Sequence, residues 1–430
     1  MIRIQDIYNR FLQFPRISTD SRNIIPDSLF FAIKGDKFDG NQFAVEALDK
    51  GARYAIVDEP SMNAGNNLLL VPNTIQALQQ LAIIHRQHIR AKIIAITGSN
   101  GKTTTKELTG IVLSSEFKTV VTQGNLNNHI GVPLTILSIT NDTEFAVIEM
   151  GANHPGEIAE LCRIAQPEAG LITNIGKAHL EGFGSFEGVI RAKSELYDYL
   201  RYNNGFVFLN ADNQMLVNLA TGILSYSYGS DKDAFCQGRI AGHDPFLSID
   251  WKSAALKGTV HTKLFGDYNF ENVLAAVSVG LHFGINPLQI DTAISSFLPD
   301  NNRSQLIKTN HNNIILDAYN ANPSSMKVAI ENFNQSNAKP KMLILGDMME
   351  LGTFSLDEHH NIVSMVRKLH FDKIIFIGES FNKAIGNGIE TCFPGVDEAG
   401  TFLLEHPVKG MSILLKGSRK MQLENLLNYL

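Results

Sequence analysis

The chain has 430 residues, of which 44% are hydrophobic and 19% are charged. This composition is typical of a folded globular protein and excludes a mostly disordered chain or a coiled coil. Its 37 basic and 43 acidic residues give a net charge of −6, which argues against nucleic acid as the main partner. The three cysteines are far apart, so we expect neither a disulfide framework nor a CxxC metal pair. The sequence starts without a signal-peptide pattern and contains no window apolar enough to span a bilayer, so we expect a cytoplasmic protein.

The length allows two to four domains, and residues 1–89 are predicted to form the first, an α/β domain. Short apolar runs alternate there with Gly and Asp turns, and residues 75–90 have the periodicity of a helix. The predicted strands are Leu29–Ile33, Ala55–Val57 and Leu68–Val71.

Residues 90–300 are predicted to form a central α/β domain, with a mostly parallel sheet that helices cover on both faces. Its apolar runs are continuous rather than alternating, as in strands that are buried on both sides. Residues 225–265 are strand-like and turn-rich, which predicts an insertion or an extension of the sheet. The predicted strands are Lys92–Thr97, Phe145–Ile148 and Leu171–Thr173, and the helices are 102–114, Pro155–Ile164 (with Pro at its start) and 186–200.

Residues 301–430 are predicted to form a smaller C-terminal α/β domain. The turn-rich run Pro299–Asn302 is the predicted linker. The predicted strands are Ile314–Leu316, Met342–Leu345, Ile374–Ile377 and Ile413–Leu415, and the helices are 323–333, 357–369 and 420–429.

The strongest local signal is the run Thr97–Thr104 (TGSNGKTT), which follows a predicted strand and opens a predicted helix. Glycines let backbone N–H groups approach phosphate oxygens, and the start of a helix adds partial positive charge. Lys102 would then reach the β- and γ-phosphates, and the Thr103 hydroxyl would bind Mg²⁺. The loop is shorter than a general P-loop, because Ile96 stands where the first glycine would be. A glycine turn that only caps a helix is the structural alternative.

Two residues at the same predicted sheet edge are candidate metal ligands. Glu149 ends an apolar strand, and in doubly wound sheets ligands bind beyond the carboxyl ends of the strands. His179 follows the next strand by a short loop. The alternatives are a charge at the start of a helix for Glu149 and a structural role for His179.

Lys193 lies on the predicted buried stripe of its helix, because apolar residues stand three and four positions away on both sides. The side chain could run its stem along the core and reach water. Alternatively, burial could depress its pKa, and the neutral amine could react with CO₂ to form a carbamate that binds a second Mg²⁺. The sequence leaves both interpretations open.

Polar residues end the predicted strands of the C-terminal domain, which suggests a lined cleft. They are Asp317, Asp347, Glu379 and Lys416.

Several of these runs together resemble the Mur ligase family. The similar segments are Ser18–Arg22, Thr97–Thr104, Gly124–Pro133, Glu149–Ile158, Ala178–Gly184, Asp317–Pro323, Leu345–Gly352 and Lys416–Arg419, so the resemblance covers all three predicted domains.

The resemblance implies an ATP-dependent ligase of peptidoglycan synthesis that acts as a monomer. ATP would phosphorylate the terminal carboxylate of UDP-MurNAc-tripeptide, and the amine of D-Ala-D-Ala would attack the acyl phosphate. Two alternatives stay open. One is a sister ligase that uses another amine, such as the enzyme adding the third amino acid or folylpolyglutamate synthase. The other is a nucleotide-binding regulator without catalysis.

The resemblance also implies roles for individual residues. Thr103 and Glu149 would hold one Mg²⁺, and His179 and a carbamylated Lys193 a second, with Lys102, His179 and Lys193 as catalytic residues. The residues assigned to ATP are Gly98, Ser99, Asn100, Gly101, Lys102, Thr103, Thr104, Asn269, Asn272, Arg303 and Asp317. Those assigned to the two substrates are Ser21, Arg22, Asn128, Asn320 and Asn322.

Overall fold

The computed structural model describes residues 1–35, 38–62, 67–243, 245–300 and 302–430. Within them the chain forms three successive α/β units, which confirms the predicted fold class. None of the described helices combines the length and apolarity that crossing a bilayer requires.

The N-terminal unit is built on a small parallel sheet of order β1-β2-β5-β6. Its last helix, α3, begins at the Asn73 cap and runs onto the central unit. There the buried Arg86 donates hydrogen bonds to the carbonyl oxygens of Ala165 (2.9 Å) and Gln166 (3.1 Å). The elements are α1 (Ile4–Gln13), β1 (Ile17–Ser18), β2 (Leu29–Phe31), β3 (Lys34–Gly35), β4 (Phe38–Asp39), α2 (Ala44–Asp49), β5 (Tyr54–Val57), β6 (Leu68–Leu70) and α3 (Thr74–His88).

The central unit carries a sheet of nine strands in the order β15-β14-β13-β12-β11-β10-β7-β9-β8. The strands from β8 to β13 are parallel, and β13, β14 and β15 pair antiparallel, so residues 225–265 do extend the sheet. The elements are β7 (Lys92–Thr97), α4 (Lys102–Ser114), β8 (Thr119–Val121), α5 (Gly131–Leu137), β9 (Phe145–Glu149), α6 (Glu157–Ala165), β10 (Ala169–Ile172), α7 (Leu180–Phe183), α8 (Phe186–Tyr202), β11 (Phe206–Asn210), α9 (Gln214–Leu219), β12 (Leu224–Gly229), β13 (Cys236–His243), β14 (Leu247–Ser253), β15 (Leu256–His261), α10 (Asn269–His282) and α11 (Pro287–Ser296).

Both faces of this sheet are buried, as the continuous apolar strands predict. In β7, Ile93 and Ala95 join a core with α3, α6 and α8, whereas Ile94 and Ile96 join a second core with α4 and α10. This double packing fixes the carboxyl end of β7, where the glycine loop begins.

The C-terminal unit is a six-stranded sheet of order β16-β17-β21-β18-β19-β20, parallel except for the edge strand β16. Its elements are β16 (Gln305–Lys308), β17 (Asn313–Asp317), α12 (Pro323–Gln335), β18 (Lys341–Gly346), α13 (Ser355–Arg367), β19 (Lys373–Ile377), α14 (Glu379–Ile385), β20 (Thr391–Phe393), α15 (Val396–Glu405) and β21 (Ser412–Lys416).

Two predicted helices were wrong in detail. The helix predicted from Pro155 begins at Glu157, because the Glu157 carboxylate accepts the backbone N–H groups of Asn153 and His154 and holds them in a turn. The predicted helix 420–429 is instead two short 3₁₀ segments, Arg419–Met421 and Leu423–Tyr429, separated by Gln422 in the left-handed region.

Candidate active site

The glycine loop lies between β7 and α4, in the strand–loop–helix context that the sequence predicts. Gly98 and Gly101 have φ values of +143° and +78°, in the range that favours glycine. A Cβ atom at Gly101 would lie 2.5 Å from Oδ1 of Asn272, and one at Gly98 would lie 2.0 Å from Oγ1 of Thr173. Both positions therefore require glycine, and the backbone N–H groups at the start of α4 remain accessible to an anion.

The Lys102 amine is folded over this loop. Its Nζ donates hydrogen bonds to the carbonyl oxygens of Gly98 (2.8 Å) and Ser99 (3.1 Å). Burial lowers the pKa of Lys102, and the Glu149 carboxylate opposes that shift. The amine thus stands beside both the anion-binding loop and a carboxylate.

Glu149 ends β9 and is only 1% exposed. Its Oε1 accepts a hydrogen bond from Nδ2 of Asn127 (2.7 Å), whereas Oε2 is buried without a partner among the described groups. A buried carboxylate oxygen without a donor is costly unless a cation faces it. Thr103, on the first turn of α4, lines the same cavity, so this oxygen and a hydroxyl fit the oxygen ligands that Mg²⁺ prefers.

His179 lies in a left-handed backbone conformation just before α7, and its Nδ1 is 2.7 Å from Oε2 of Glu350. Nδ1 has no hydrogen-bond partner of acceptable geometry among the described groups, so the carboxylate lies beside the ring without forming a regular hydrogen bond. A proton on Nδ1 would leave the lone pair on Nε2 free for a metal. The same contact holds the pKa of Glu350 below its usual value. The pairing thus fits a metal-binding histidine that a carboxylate orients.

Lys193 is 1% exposed on α8, so its predicted place on the buried face is confirmed. Its Nζ lies 3.5 Å from the carbonyl oxygen of Ala152 and 5.5 Å from the ring centroid of Phe183. Burial, helped by the positive charge of Lys102, lowers the pKa of Lys193 to about 7. A large fraction of this amine is therefore neutral near pH 7.

The first turn of α10 brings two buried asparagines against the glycine loop. Asn272 accepts a hydrogen bond from the Thr105 hydroxyl (3.0 Å) and donates one to Oδ1 of Asn269 (3.0 Å). Asn269 in turn donates to the carbonyl oxygen of Phe265 (2.9 Å). This network fixes both amides at the cavity wall.

The C-terminal unit brings two cationic side chains, Arg303 and Lys416, to the cavity. The guanidinium carbon of Arg303 lies 3.7 Å from the ring centroid of Tyr319, and Arg419 lies over the same ring at 5.1 Å. Asp317 at the end of β17 pairs with Lys416 at the end of β21 (2.5 Å). Two of the four predicted strand-end residues, Asp317 and Lys416, thus line the cavity between the units.

The other two strand-end residues have structural roles, so their predicted place in the cleft was wrong. Asp347 accepts the backbone N–H groups of Ser380 (2.9 Å) and Phe381 (2.9 Å) at the start of α14. Glu379 is exposed and pairs with Lys383 on its own helix.

One cavity of about 930 Å³ lies between the central and C-terminal units and collects most of the predicted residues. Gly98 and Lys193 are absent from its described lining, although both lie beside lining residues. The predicted residues that line it are Ser99, Asn100, Gly101, Lys102, Thr103, Thr104, Asn128, Glu149, His179, Asn269, Asn272, Arg303, Asp317, Asn320 and Asn322.

Ser21 and Arg22 lie elsewhere, in the N-terminal unit, and the described cavity lining does not include them. The Arg22 side chain is 87% exposed and pairs with Asp20 at 2.7 Å. The structure therefore places these two residues apart from the residues of the cavity.

Sequence reasoning assigned no role to Asn127 or Glu350, which hold the two candidate metal ligands. Both lie in segments that carry the family resemblance, but their partners are distant in sequence. Among the residues that the structure describes, no three His, Cys, Asp or Glu side chains form a ready-made metal cage.

Family models match the chain in three consecutive parts. These are the Mur ligase middle domain at residues 96–280, the "Mur ligase, glutamate ligase domain" at 302–419 and the "Mur ligase family, catalytic domain" at 14–86. The chain belongs to the Mur ligase family.

Individual relatives show which ligases of the family this chain is similar to. The UDP-N-acetylmuramoyl-tripeptide–D-alanyl-D-alanine ligase of Bacillus subtilis is 35% identical, over 95% of this chain and 92% of its own length. A crystal structure of MurF from Acinetobacter baumannii is 33% identical, with a TM-score of 0.88 over 96% of this chain and 92% of that one. The MurF ligase of Thermotoga maritima, solved in complex with ADP, is 26% identical, with a TM-score of 0.86 over 97% of both chains.

Proposed function

We propose that this chain is an ATP-dependent ligase that joins D-Ala-D-Ala to UDP-MurNAc-tripeptide in the synthesis of peptidoglycan precursors. The observation that carries the proposal is the cavity that the glycine loop of one α/β unit lines together with Arg303 and Lys416 of another. Near full-length similarity to ligases of this name supports the choice of substrates. The reaction consumes ATP, and we place it in the cytoplasm.

The proposed chemistry has two steps. The terminal carboxylate of the tripeptide attacks the γ-phosphorus of ATP, which forms an acyl phosphate and releases ADP. The amine of D-Ala-D-Ala then attacks the acyl carbon, inorganic phosphate leaves, and the amine gives up a proton as the amide forms. Phosphorylation is needed because a free carboxylate has no leaving group that an amine could displace.

The glycine loop and Lys102 bind the phosphates of ATP in this proposal. The backbone N–H groups of Gly101–Thr104 surround the phosphate oxygens, and Lys102 exchanges its bonds to Gly98 and Ser99 for bonds to phosphate. The positive charges of Lys102 and Arg303 offset the charge that develops during phosphoryl transfer. Asn269 and Asn272 bind the adenine end, and Asp317 orients the same nucleotide.

Thr103 and Glu149 would hold one Mg²⁺, and His179 and a carbamylated Lys193 a second. When bound, these ions neutralise charge on the phosphoryl group. The Lys193 amine would form the carbamate by attack on CO₂, with a new N–C bond and the loss of one proton. Its burial and its pKa of about 7 support this step, because only the neutral amine is nucleophilic.

The remaining predicted residues contact the two substrates other than ATP. Ser21 and Arg22 bind the UDP-sugar in the N-terminal unit, and Asn128, Asn320 and Asn322 contact the peptide groups at the cavity. The proposed domains are residues 1–89, 90–300 and 301–430. The proposed enzyme is a monomer.

The test is an amine panel with the purified chain, ATP, Mg²⁺ and UDP-MurNAc-tripeptide. We expect phosphate release and the UDP-linked pentapeptide with D-Ala-D-Ala, and little product with free amino acids. Lys102→Met should lower the rate at least about a hundredfold, because the charge-assisted bonds to phosphate are lost. Lys257→Met, an exposed change on β15, is the matched control and should be neutral. Preferential use of a free amino acid, or nucleotide binding without any amide product, would overturn the proposal.

A further inference from the structure

The loop from Thr173 to His179 contacts the glycine loop at several points. The Ser99 hydroxyl accepts the backbone N–H of Gly176 (2.9 Å) and donates to the carbonyl oxygen of the same residue (3.0 Å). Oδ1 of Asn174 accepts the backbone N–H of Asn100 (3.0 Å). Any displacement of this loop is therefore transmitted to the glycine loop.

The same loop is also held from the C-terminal unit. The backbone N–H of Lys177 donates to the hydroxyl of Ser324 on α12 (2.9 Å). The Lys177 amine lies 2.6 Å from Oε1 of Glu358 on α13. The Glu358 side chain is 10% exposed and that of Lys177 is 50% exposed, so the carboxylate is largely removed from water while its cation comes from another unit.

We propose that Glu358 is a positioning residue that acts through Lys177. The pair holds the loop 174–179 against the C-terminal unit and favours the arrangement in which the two walls of the cavity face each other. If the units separate, Glu358 loses its cation and the Lys177 amide loses Ser324. The pair therefore biases the equilibrium toward the closed arrangement. The proposal rests on the proposed function only for its kinetic readout.

Hydrogen exchange tests the contact without any ligand or activity. In the full-length chain, we expect Glu358→Gln to speed exchange of the amides in a peptide covering residues 174–180, because the Lys177 amide is released from Ser324 more often. Glu379→Gln is the matched control, since it breaks an exposed carboxylate–lysine pair inside the C-terminal unit alone. Thermal unfolding of both variants shows whether the global fold is intact. Unchanged exchange in the folded Glu358→Gln chain would overturn the proposal.

Charge reversal supplies the kinetic test. We expect Lys177→Glu and Glu358→Lys each to lower kcat/KM about five- to tenfold, and the double variant to recover to within about threefold of the starting enzyme. Raising the salt concentration should lower kcat/KM of the starting enzyme more than that of Glu358→Gln, because only the former has an ion pair to screen. Purely additive losses in the double variant would contradict the proposal. If the starting chain forms no amide with any amine, the proposed function falls, and the exchange comparison alone decides the role of Glu358.

Discussion

Nδ2 of Asn322 donates a hydrogen bond to Oδ1 of Asn100 across 2.8 Å, so the first turn of α12 touches the glycine loop directly. Asn322 is also the N-cap of α12, because its Oδ1 accepts the backbone N–H of Ser325 (2.9 Å). One side chain thus both starts a helix of the C-terminal unit and joins that unit to the glycine loop.

Replacement of Asn322 can separate these two tasks. We expect Asn322→Asp to keep the cap and the stability but to lose the donor to Asn100 and to repel bound phosphate, which should lower kcat about tenfold or more. Asn322→Ala should additionally cost about 1 kcal/mol of unfolding free energy, because the cap is lost. Urea denaturation and steady-state kinetics of the two variants check this. Equal stability losses in both would show that the cap is not the relevant interaction.

The buried amine of Lys193 makes stability depend on pH. Its folded-state pKa of about 7 lies below its unfolded value near 10.5, so the unfolded chain binds more protons between these values and stability rises with pH. In CO₂-free buffer, the unfolding free energy of the starting protein should gain about 2 kcal/mol relative to Lys193→Met between pH 7 and pH 9. The measurement is urea denaturation of both proteins at each pH. A constant difference across this range would contradict the shifted pKa.

Glu149 should be destabilising unless a cation is bound. Its Oε2 is buried without a hydrogen-bond partner among the described groups, so Glu149→Gln removes a buried charge whose second oxygen has no donor, while Asn127 can still donate to the remaining oxygen. In EDTA we expect Glu149→Gln to be at least as stable as the starting protein, by up to about 1 kcal/mol. Mg²⁺ with ADP should raise Tm of the starting protein and should have little effect on the variant. A variant that gains as much from Mg²⁺ and ADP as the starting protein would exclude Glu149 as a ligand.

Glu350 should tune the affinity of His179 for metal. Glu350→Gln removes the carboxylate that lies 2.7 Å from Nδ1, so we expect the Mg²⁺ concentration for half-maximal activity to rise about ten- to a hundredfold. At saturating Mg²⁺, kcat should recover most of its value. Glu181→Gln changes an exposed carboxylate near the same loop and serves as the control. An unchanged Mg²⁺ requirement in Glu350→Gln would argue against the orienting role.

Local sequence signals predicted the centre of the molecule well. The run Ile93–Ile96 is apolar and rich in β-branched residues, and glycines at 98 and 101 follow it closely, so strand, loop and helix signals agree. The buried face of α8 was equally readable, because Lys193 interrupts an otherwise apolar stripe. These features depend on residues close in sequence.

Contacts between the units were not predictable in this way. The pairing of His179 with Glu350, and that of Lys177 with Glu358, depends on how two separately folded sheets dock, which no periodicity encodes. The helix predicted at the end of the chain was wrong for another reason. Gln422 has a left-handed backbone conformation, which interrupts a segment with the pattern of an amphipathic helix. The prediction that Asp347 lines the cleft was wrong because a carboxylate at the end of a strand can equally well cap a helix.

The bonds of Arg86 across the junction with α3 have a consequence for substrate choice. They join the N-terminal unit to the central unit, so the distance from the proposed UDP-sugar site at Arg22 to the glycine loop is set by these two units and not by the C-terminal one. If a UDP-linked peptide is bound at its uridine end, the length of the peptide then decides whether its terminal carboxylate reaches the glycine loop. A peptide that is one residue too short would place its carboxylate too far from the phosphate to react, even if its uridine end bound well.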